Sequence, residues 1–135
     1  MIRLLCAFSL AAFAFAAPAP AAEPLNQNAH ITSSLVAAKV GDTIRKTCPS
    51  ISARMFVVLD KMSALEDYAR AQGYTEAEVK AFLKNKTEKK RINDLAAAYL
   101  KAAGAVEGDA DSYCVAGRAE IAKGTLAGSL LKSWQ

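Results

Sequence analysis

Few residues in this chain have the types and spacing that chemistry needs. The sequence contains one histidine, His30, and three cysteines. A catalytic imidazole needs a positioned partner, and a zinc site needs three or four ligands. No motif around His30 supplies either, so we predict no His-based catalytic site and no metal site. We expect His30 to be exposed or locally hydrogen-bonded near the amino terminus.

Acidic residues occur in two groups that could bind a cation or transfer protons. Asp109, Asp111 and Glu120 match the first, third and last positions of a calcium-loop template, but Cys114 occupies the position that requires glycine. The second group consists of Glu66, Asp67, Glu76 and Glu78. No apolar pocket is evident beside it that would raise a carboxylate pKa. We interpret both groups as surface or helix-cap carboxylates and predict no cofactor.

The densest run of charge is basic and consists of Lys84, Lys86, Lys89, Lys90 and Arg91. Such a run could contact phosphate groups, anionic lipid or an acidic partner. On a helical wheel, however, the five side chains scatter widely, and acidic residues interrupt them. No aromatic residues are interleaved with them, as a nucleic-acid stacking platform requires. We interpret the run as a solvated helix junction, keep an anionic contact as the alternative, and predict no nucleic-acid partner.

Three amphipathic aromatic residues lie near the ends of predicted helices: Tyr68, Tyr74 and Trp134. Aromatic residues of this kind often anchor protein interfaces. They are also ordinary boundary residues of a small core, and both interpretations stay open. Trp134 is next to last in the chain, where packing against the chain's own core is least assured.

Residues 1–21 have the features of a secretory signal peptide. A positive tip at Arg3 precedes an apolar run over 4–17, and small residues then occupy Ala19 and Ala21. The run is too short to span a bilayer. We therefore predict export, cleavage after Ala21 and no membrane span. The remaining chain, 22–135, is expected to form a single helical domain with 22–27 as a loose tail.

Cleavage would remove Cys6 and leave Cys48 and Cys114 in an oxidising compartment, where two cysteines can pair in only one way. A redox-active or catalytic thiol is the alternative. Redox pairs are usually close in sequence, as in the C-x-x-C motif, and these two cysteines are far apart. We predict a structural disulfide between Cys48 and Cys114.

Length, composition and periodicity together predict an all-α fold. The chain of 135 residues suits one domain, and 53% hydrophobic with 22% charged residues excludes disordered and collagen-like classes. Apolar residues recur at helical period, without sustained alternation at period two. We predict a small bundle of about five to six helices with one disulfide. The expected ranges are 28–46, about 50–72, 75 to a break near 85–87, from there to 104, about 107–124, and a last short turn over 126–132.

Some expectations concern packing and local boundaries. Thr75 and Glu78 predict a capping box, and Gly117 is expected to allow close approach of another helix beside the disulfide. The first helix is expected to bury one face that consists of Ile31, Leu35, Ala38 and Ile44. The first two turns of the second helix are apolar nearly all round. We therefore expect the second helix to be central and the most deeply buried.

Four segments of the chain carry a resemblance to a known family: ISARMFVV at 51–58, LEDYAR at 65–70, SYC at 112–114 and EIAKG at 120–124. They resemble the domain-of-unknown-function family numbered 5333, which consists of short exported alphaproteobacterial proteins. The resemblance covers nearly all of the chain after the predicted cleavage site, including both remaining cysteines, and implies a bacterial periplasm. It implies no activity, cofactor or functional residue.

Two weaker resemblances concern small helical periplasmic proteins with one disulfide. One group comprises acid-stress chaperones, and the other comprises toxin-immunity proteins of the Rap type. The segment YCVAG at 113–117 is similar to a helix with Cys and Gly in the immunity group. Both likenesses are at the level of the fold and do not establish function.

Three functions follow as hypotheses. The first is a non-catalytic interaction module that binds another periplasmic protein through a helical face. The second is a stress or holdase-type chaperone that opens under a trigger and exposes Met55, Phe56 and Met62, or a toxin-immunity-like inhibitor. The third is an enzyme, which would need a pocket with convergent polar groups. We expect the first and predict that the protein is not an enzyme.

Overall fold

The structure, a computed structural model, describes residues 22–134. Within that range the chain forms six α-helices and two short strands. They are α1 (Ala29–Thr47), β1 (Ile51–Ala53), α2 (Met55–Ala71), α3 (Glu76–Lys84), α4 (Lys86–Ala102), α5 (Ala110–Lys123), α6 (Leu126–Ser129) and β2 (Leu131–Ser133). The predicted helical bundle with one disulfide is confirmed. The predicted signal peptide lies outside the described residues.

Local side-chain chemistry sets most helix boundaries. Thr75 and Glu78 form the expected capping box at the start of α3. Asn85 ends α3, and its side-chain oxygen accepts hydrogen bonds from two otherwise free backbone N–H groups in the first turn of α4. The chain therefore breaks between the two helices where the sequence predicts it. Gly124 ends α5 in a left-handed conformation with φ of 64°, which glycine adopts without steric cost.

The centre of the bundle is α1, which packs against α4, α5 and α6. Val40 and Ile44 in α1 have no exposed surface. The buried residues around them are Cys48, Ile51, Ala96, Leu100, Ala105, Cys114, Ala116, Ala127 and Leu131. Burying a side chain of valine or isoleucine size contributes about 1.5–3 kcal/mol. This central position makes α1 the helix on which the other elements depend.

The predicted inner face of α1 is correct in part. Ile31 and Ile44 are buried, and Leu35 is half-buried, but Ala38 is exposed. Val40 and Gly41 are buried instead. A Cβ atom at Gly41 would lie 3.7 Å from a backbone oxygen of α6, which is an ordinary contact distance, so α6 covers this position of α1. Because of the contact with α6, the buried face of α1 includes positions 40 and 41.

The expectation that the second helix is central and most deeply buried is wrong. In α2 only Ala69 is buried. It joins Leu65 and Tyr68 in a small apolar cluster with Ile31 of α1 and with α3. The amino-terminal half of α2 exposes its large apolar side chains, which are Met55, Phe56, Leu59 and Met62. Because α1 already fills the centre of the bundle, α2 packs mainly through its carboxyl-terminal half, and Val57 and Val58 in its first turns are only half-buried.

A two-stranded antiparallel sheet joins the segment after α1 to the end of the chain. Ile51 pairs with Ser133, and Ala53 pairs with Leu131. The backbone N–H of Trp134 donates a hydrogen bond of 2.9 Å to the carbonyl oxygen of Ser50, which extends this pairing. The sequence predicts a turn over 126–132 and places 51–53 at the start of the second helix, so neither strand is predicted and the helix begins later than expected. The strands are three residues each, which is too short for alternation to be recognised.

The segment 22–27, expected as a loose tail, is attached to the bundle. Residues Leu25–Gln27 form a 3₁₀ turn, and Leu25 packs on the cluster of Ile31, Ala69 and Tyr74. The carbonyl oxygen of Glu23 accepts a hydrogen bond of 2.6 Å from the Tyr74 hydroxyl. Contacts with Tyr74 and with the apolar cluster therefore hold residues 22–27 in place, although their own sequence predicts no regular structure.

Candidate functional site

The exposed apolar side of α2, formed by Met55, Phe56, Leu59 and Met62, is called the α2 stripe here. Their exposed fractions are 58%, 91%, 57% and 55%, in chain order. Met55, Leu59 and Met62 follow the i, i+4, i+7 spacing that places side chains on one helix face. Phe56 lies about 60° from Leu59 around the helix at 100° per residue, at the edge of this face. The stripe is therefore a row of three exposed apolar side chains with Phe56 at its edge.

The start of α2 is held in place by contacts with the end of the chain. The backbone N–H of Arg54 donates a hydrogen bond of 2.8 Å to the carbonyl oxygen of Leu130. The Arg54 guanidinium also donates to the carbonyl oxygen of Ser129 at 3.3 Å. Ahead of these bonds, β1 pairs with β2. The amino-terminal half of α2 is thus positioned although its four largest apolar side chains are exposed.

Apolar surface continues from the α2 stripe toward α3. Met62 and Leu65 line a cleft together with Phe82 and Leu83 of α3. Leu83 is itself 47% exposed. Charged residues flank the stripe at its ends, with Arg54 before it and Glu66 and Asp67 after it. The surface therefore combines an apolar centre with a cation at one end and carboxylates at the other.

Cys48 and Cys114 form the predicted disulfide, with an S–S distance of 2.01 Å. Both residues are buried in the main core. Ser50 Oγ lies 3.2 Å from Cys48 Sγ and 3.9 Å from Cys114 Sγ. The bridge joins the carboxyl end of α1 to the first turns of α5. Its burial makes it a cross-link of the core and leaves neither sulfur presented at a surface.

The three acidic residues of the calcium-loop template lie at the two ends of α5. Asp109 caps α5 by accepting hydrogen bonds from the N–H groups of Asp111 and Ser112. Glu120 is buried near the opposite end of that helix. Among the described residues, no group of three or more His, Cys, Asp or Glu side chains could hold a metal ion. The calcium template is therefore not assembled in the part of the chain that the structure covers.

Three of the four residues in the second carboxylate group make local bonds, and the fourth, Glu66, lines a cleft together with Glu76. Lys80 lies 2.7 Å from Glu76 and lowers the pKa of that carboxyl below its usual value. Hydrogen bonds from the backbone and hydroxyl of Thr75 lower the pKa of Glu78. Asp67 pairs with Arg70 at 3.1 Å. A general acid at neutral pH needs a raised carboxyl pKa, so the lowered pKa values of Glu76 and Glu78 oppose that role.

His30 and the aromatic residues named from the sequence take different positions. The exposed His30 ring lies 4.3 Å from the Tyr68 ring, centroid to centroid. Tyr68 is half-buried, and Tyr74 is buried within the small cluster of α1, α2 and α3. Trp134 remains exposed, donates to Ser52 Oγ at 3.2 Å, and has the Lys132 ammonium 4.5 Å from its ring centroid. Of the three aromatic residues, Trp134 is the one presented to solvent.

The basic run occupies the junction between α3 and α4, as expected. Lys84 ends α3, and the other four residues lie in the first two turns of α4. Lys90 pairs with Asp94 at 2.6 Å. Arg91 turns toward Glu88, with its Nε 2.8 Å from a carboxylate oxygen. Two of the five cations are therefore compensated locally, and the anionic contact considered from the sequence stays a prediction.

Sequence reasoning missed one buried polar network, which is centred on Glu120. This residue is only 2% exposed. Its Oε2 accepts a hydrogen bond of 2.8 Å from the Tyr99 hydroxyl and another from the hydroxyl of Thr125. Tyr99 lies on α4 and Thr125 caps α6, so the network ties three helices together. The sequence offers no signal for it because the partners are brought together only by tertiary packing.

Replacing Tyr99 with phenylalanine is expected to lower the free energy of unfolding by about 1–3 kcal/mol, because buried Glu120 loses one of its two hydroxyl donors. The hydrogen bond to Glu120 raises the pKa of Tyr99. A raised folded-state pKa means that this stabilisation is present below pH about 10 and is lost as pH rises through the folded-state value. Urea unfolding of both proteins as a function of pH measures the effect.

Tyr113→Phe is the matched control for this prediction. Its ring packs beside the main core, and the described residues provide no hydrogen-bond partner for its hydroxyl. Its removal is expected to change stability by less than about 0.5 kcal/mol. Equal effects of the Tyr99 and Tyr113 substitutions, or a Tyr99 effect that persists unchanged well above pH about 10, would contradict the assigned network.

The structure defines a class of protein, which is a small helical bundle closed by one disulfide between its central helix and α5. Such a disulfide fits an exported protein, because oxidising compartments are where disulfides persist. Among the described residues, no helix has the length and apolar character required to cross a membrane.

The particular family follows from comparison with family models. The chain belongs to DUF5333, a family of unknown function, whose model matches residues 23–132. The match covers both disulfide cysteines and every helix of the described residues, and it ends within β2. No curated protein and no solved structure matches the chain. The family resemblance noted from the sequence is confirmed, and it assigns no activity.

Proposed function

We propose that this protein is a non-catalytic interaction module of the bacterial periplasm that binds an amphipathic helix of another exported protein along the α2 stripe. The observation that carries the proposal is the exposure of Phe56, which is 91%. A fully exposed phenylalanine gains the transfer free energy of its ring only when a partner covers it. The buried disulfide supports an oxidising compartment, and the predicted signal peptide agrees with it.

The size of the α2 stripe supports a macromolecular partner. Its four side chains together expose on the order of 500 Å², which is comparable to the largest apolar patch on a typical monomeric protein, and such patches are often functional. Met55, Leu59 and Met62 repeat at the spacing by which an amphipathic helix meets a helical surface. A partner helix would bury this row and enclose Phe56 at its edge.

Charges at the ends of the stripe indicate which charged residues the partner helix carries. Arg54 lies at the amino end, and Glu66 and Asp67 lie at the carboxyl end. A partner with an acidic residue opposite Arg54 and a basic residue opposite Glu66 would match both ends. Charge pairing at a rim fixes the orientation of binding more than its strength. We therefore expect the partner helix to bind in one direction only.

A holdase-type chaperone is the second candidate function, and one observation favours it. Met55 and Met62 supply two of the four stripe residues, and flexible methionine side chains suit surfaces that bind varied clients. The sequence-based hypothesis requires a trigger that exposes α2. In the folded protein these side chains are already exposed, so client binding would need no opening step. A toxin-immunity-like inhibitor would use the same surface for a single partner.

Photo-crosslinking in the compartment to which the protein is exported tests the proposal. A photoreactive phenylalanine analogue is placed at position 56 and, as a control, at Val115 on α5, which is 61% exposed. The expected result is one discrete heterologous adduct at 56, mapped by mass spectrometry to an amphipathic helix, and none at 115. Adducts with many unrelated proteins would favour the holdase, and an adduct with a second copy of this chain would replace the proposal by self-association.

Binding measurements with the identified partner complete the test. Leu59→Asp places a charge in the middle of the stripe without touching the core and is expected to raise the Kd at least tenfold. Val115→Asp makes the same change at a similarly exposed position and is expected to leave the Kd unchanged. Equal Kd values for the wild type and Leu59→Asp would refute binding through the α2 stripe.

A further inference from the structure

An open groove lies between α1 and α4, with α6 at one end, and it is separate from the α2 stripe. Its volume is about 700 Å³, within the range of small-molecule sites. Val36, Ala37 and Val40 form the α1 wall. The opposite side carries Leu95, Tyr99 and Leu126, which are 42%, 40% and 39% exposed. Three large apolar side chains thus converge on a groove that no part of the described chain covers.

One end of this groove presents hydrogen-bond donors for an anion. Arg91 directs its Nε to Glu88 at 2.8 Å and its Nη2 to Thr32 Oγ1 at a long 3.4 Å. The described residues provide no acceptor for Nη1, so the edge formed by the two Nη atoms keeps one hydrogen on each atom for an anion, although Glu88 already pairs with Nε. That edge of a guanidinium matches the two oxygens of a carboxylate.

The other end of the groove has the opposite electrostatic character. Tyr99 and Thr125 line it and both donate their hydroxyl hydrogens to the Glu120 carboxylate behind them. Their donors are therefore occupied, and the nearest formal charge is negative. An anionic head group is disfavoured at this end and favoured at Arg91, which gives a bound amphiphile a defined direction.

The distance between the two ends limits the length of the ligand. Arg91 and Tyr99 are both on α4, and eight residues of α-helix span about 12 Å. We propose that the groove binds a medium-chain fatty acid, with its carboxylate on Arg91 and its acyl chain along Val36, Val40 and Leu95. The apolar walls suit the acyl chain, and Arg91, the one charged side chain that lines the groove in the described part of the chain, suits one carboxylate. Neither the family match nor the proposed role of the α2 stripe assigns this site.

Titration with decanoate tests the proposal, with decanol and decylamine as ligands of equal chain length. The mature oxidised protein is labelled with ¹⁵N, and amide shifts are followed at ligand concentrations below micelle formation. The expected result is saturable binding of decanoate with shifts confined to α1, α4 and α6. Decanol and decylamine are expected to bind at least tenfold more weakly, because neither offers two acceptor oxygens to Arg91.

Four substitutions identify the contacts. Arg91→Gln is expected to weaken decanoate binding at least tenfold. Arg118→Gln makes the same charge change at an exposed position of α5 and is expected to leave binding unchanged. Glu88→Gln removes a competing carboxylate while keeping an acceptor for Nε, and it is expected to strengthen binding. Ser33→Phe places a ring in the groove from an exposed position and is expected to abolish binding.

Several outcomes would overturn the proposal. Decanoate that shifts no groove amide would show that the groove takes no acyl chain. Equal binding of decanoate and decanol, or equal binding by the wild type and Arg91→Gln, would remove the carboxylate contact. Tighter binding of decylamine would assign the polar end to Glu120 instead. Leu59→Asp in the α2 stripe is expected to bind decanoate normally, which separates this result from the proposed partner binding.

Discussion

Replacing Cys48 and Cys114 together with alanine is expected to lower the free energy of unfolding by about 4 kcal/mol. The bridge closes a loop of 66 residues, and a loop of this length restricts the unfolded chain strongly in the chain-entropy description. Natural domains are stable by about 5–15 kcal/mol, so this loss leaves a domain near the limit of folding. Urea unfolding of the oxidised wild type and the double variant measures it.

Reduction supplies the control for this experiment. Dithiothreitol is expected to lower the unfolding midpoint of the wild type to that of the double variant, and to leave the double variant unchanged. Reduction that leaves the wild-type midpoint in place, or a loss of less than about 1 kcal/mol on double substitution, would contradict the stabilising role of the bridge.

Gly128→Ala is expected to destabilise the protein by about 3 kcal/mol or more, although it adds one methyl group. Gly128 is buried in α6, and a Cβ there would overlap the backbone carbonyl of Glu120 in α5. Backbone atoms of a packed helix cannot move aside as a flexible side chain does. The methyl group therefore forces α6 away from α5 and disturbs the network around Glu120.

Gly41→Ala is the matched control, because it makes the same change at a buried helical glycine. The nearest atom to a Cβ at Gly41 is 3.7 Å away, which is an ordinary contact distance. Alanine favours the helix over glycine by about 1 kcal/mol, so this variant is expected to be neutral or more stable. Urea unfolding that shows equal effects for the two substitutions would contradict the close packing of α6 on α5.

The sequence predicts the helix boundaries well where local chemistry determines them. The capping box of Thr75 and Glu78, the break at Asn85 and the stop at Gly124 each depend on a few consecutive residues. The disulfide follows from the number of cysteines left in an oxidising compartment. Gly117 also has its expected role, because a Cβ there would meet Ile44 and Ile51. These features need no knowledge of the tertiary fold.

Burial could not be predicted equally well. Periodicity shows that one face of a helix is apolar, but it does not show whether another element covers that face. The stripe through Met55 and Leu59 has the pattern of a core face, yet it faces solvent. The short strands at 51–53 and 131–133 depend on pairing between distant segments. The Glu120 network likewise arises only from the packing of α4, α5 and α6, and the groove beside it arises from the packing of α1, α4 and α6.

The exposed amino-terminal half of α2, which the sequence predicts to be buried, bears on the proposed partner binding. Natural sequences usually agree with their fold at each level, and disagreements concentrate at functional sites. A helix half that has a core-like pattern but no core to cover it is such a disagreement. It supports binding of a partner that completes the packing of Met55, Phe56, Leu59 and Met62.

The rate of methionine oxidation by peroxide tests this account most directly. Met55 and Met62 are the only methionines after residue 21, so intact mass reports on the α2 stripe alone. The account predicts that both oxidise in the purified, folded protein nearly as fast as in the unfolded chain, and several-fold more slowly inside intact cells, where the partner covers them. Protection of both in the purified protein, or equal rates inside and outside the cell, would contradict it.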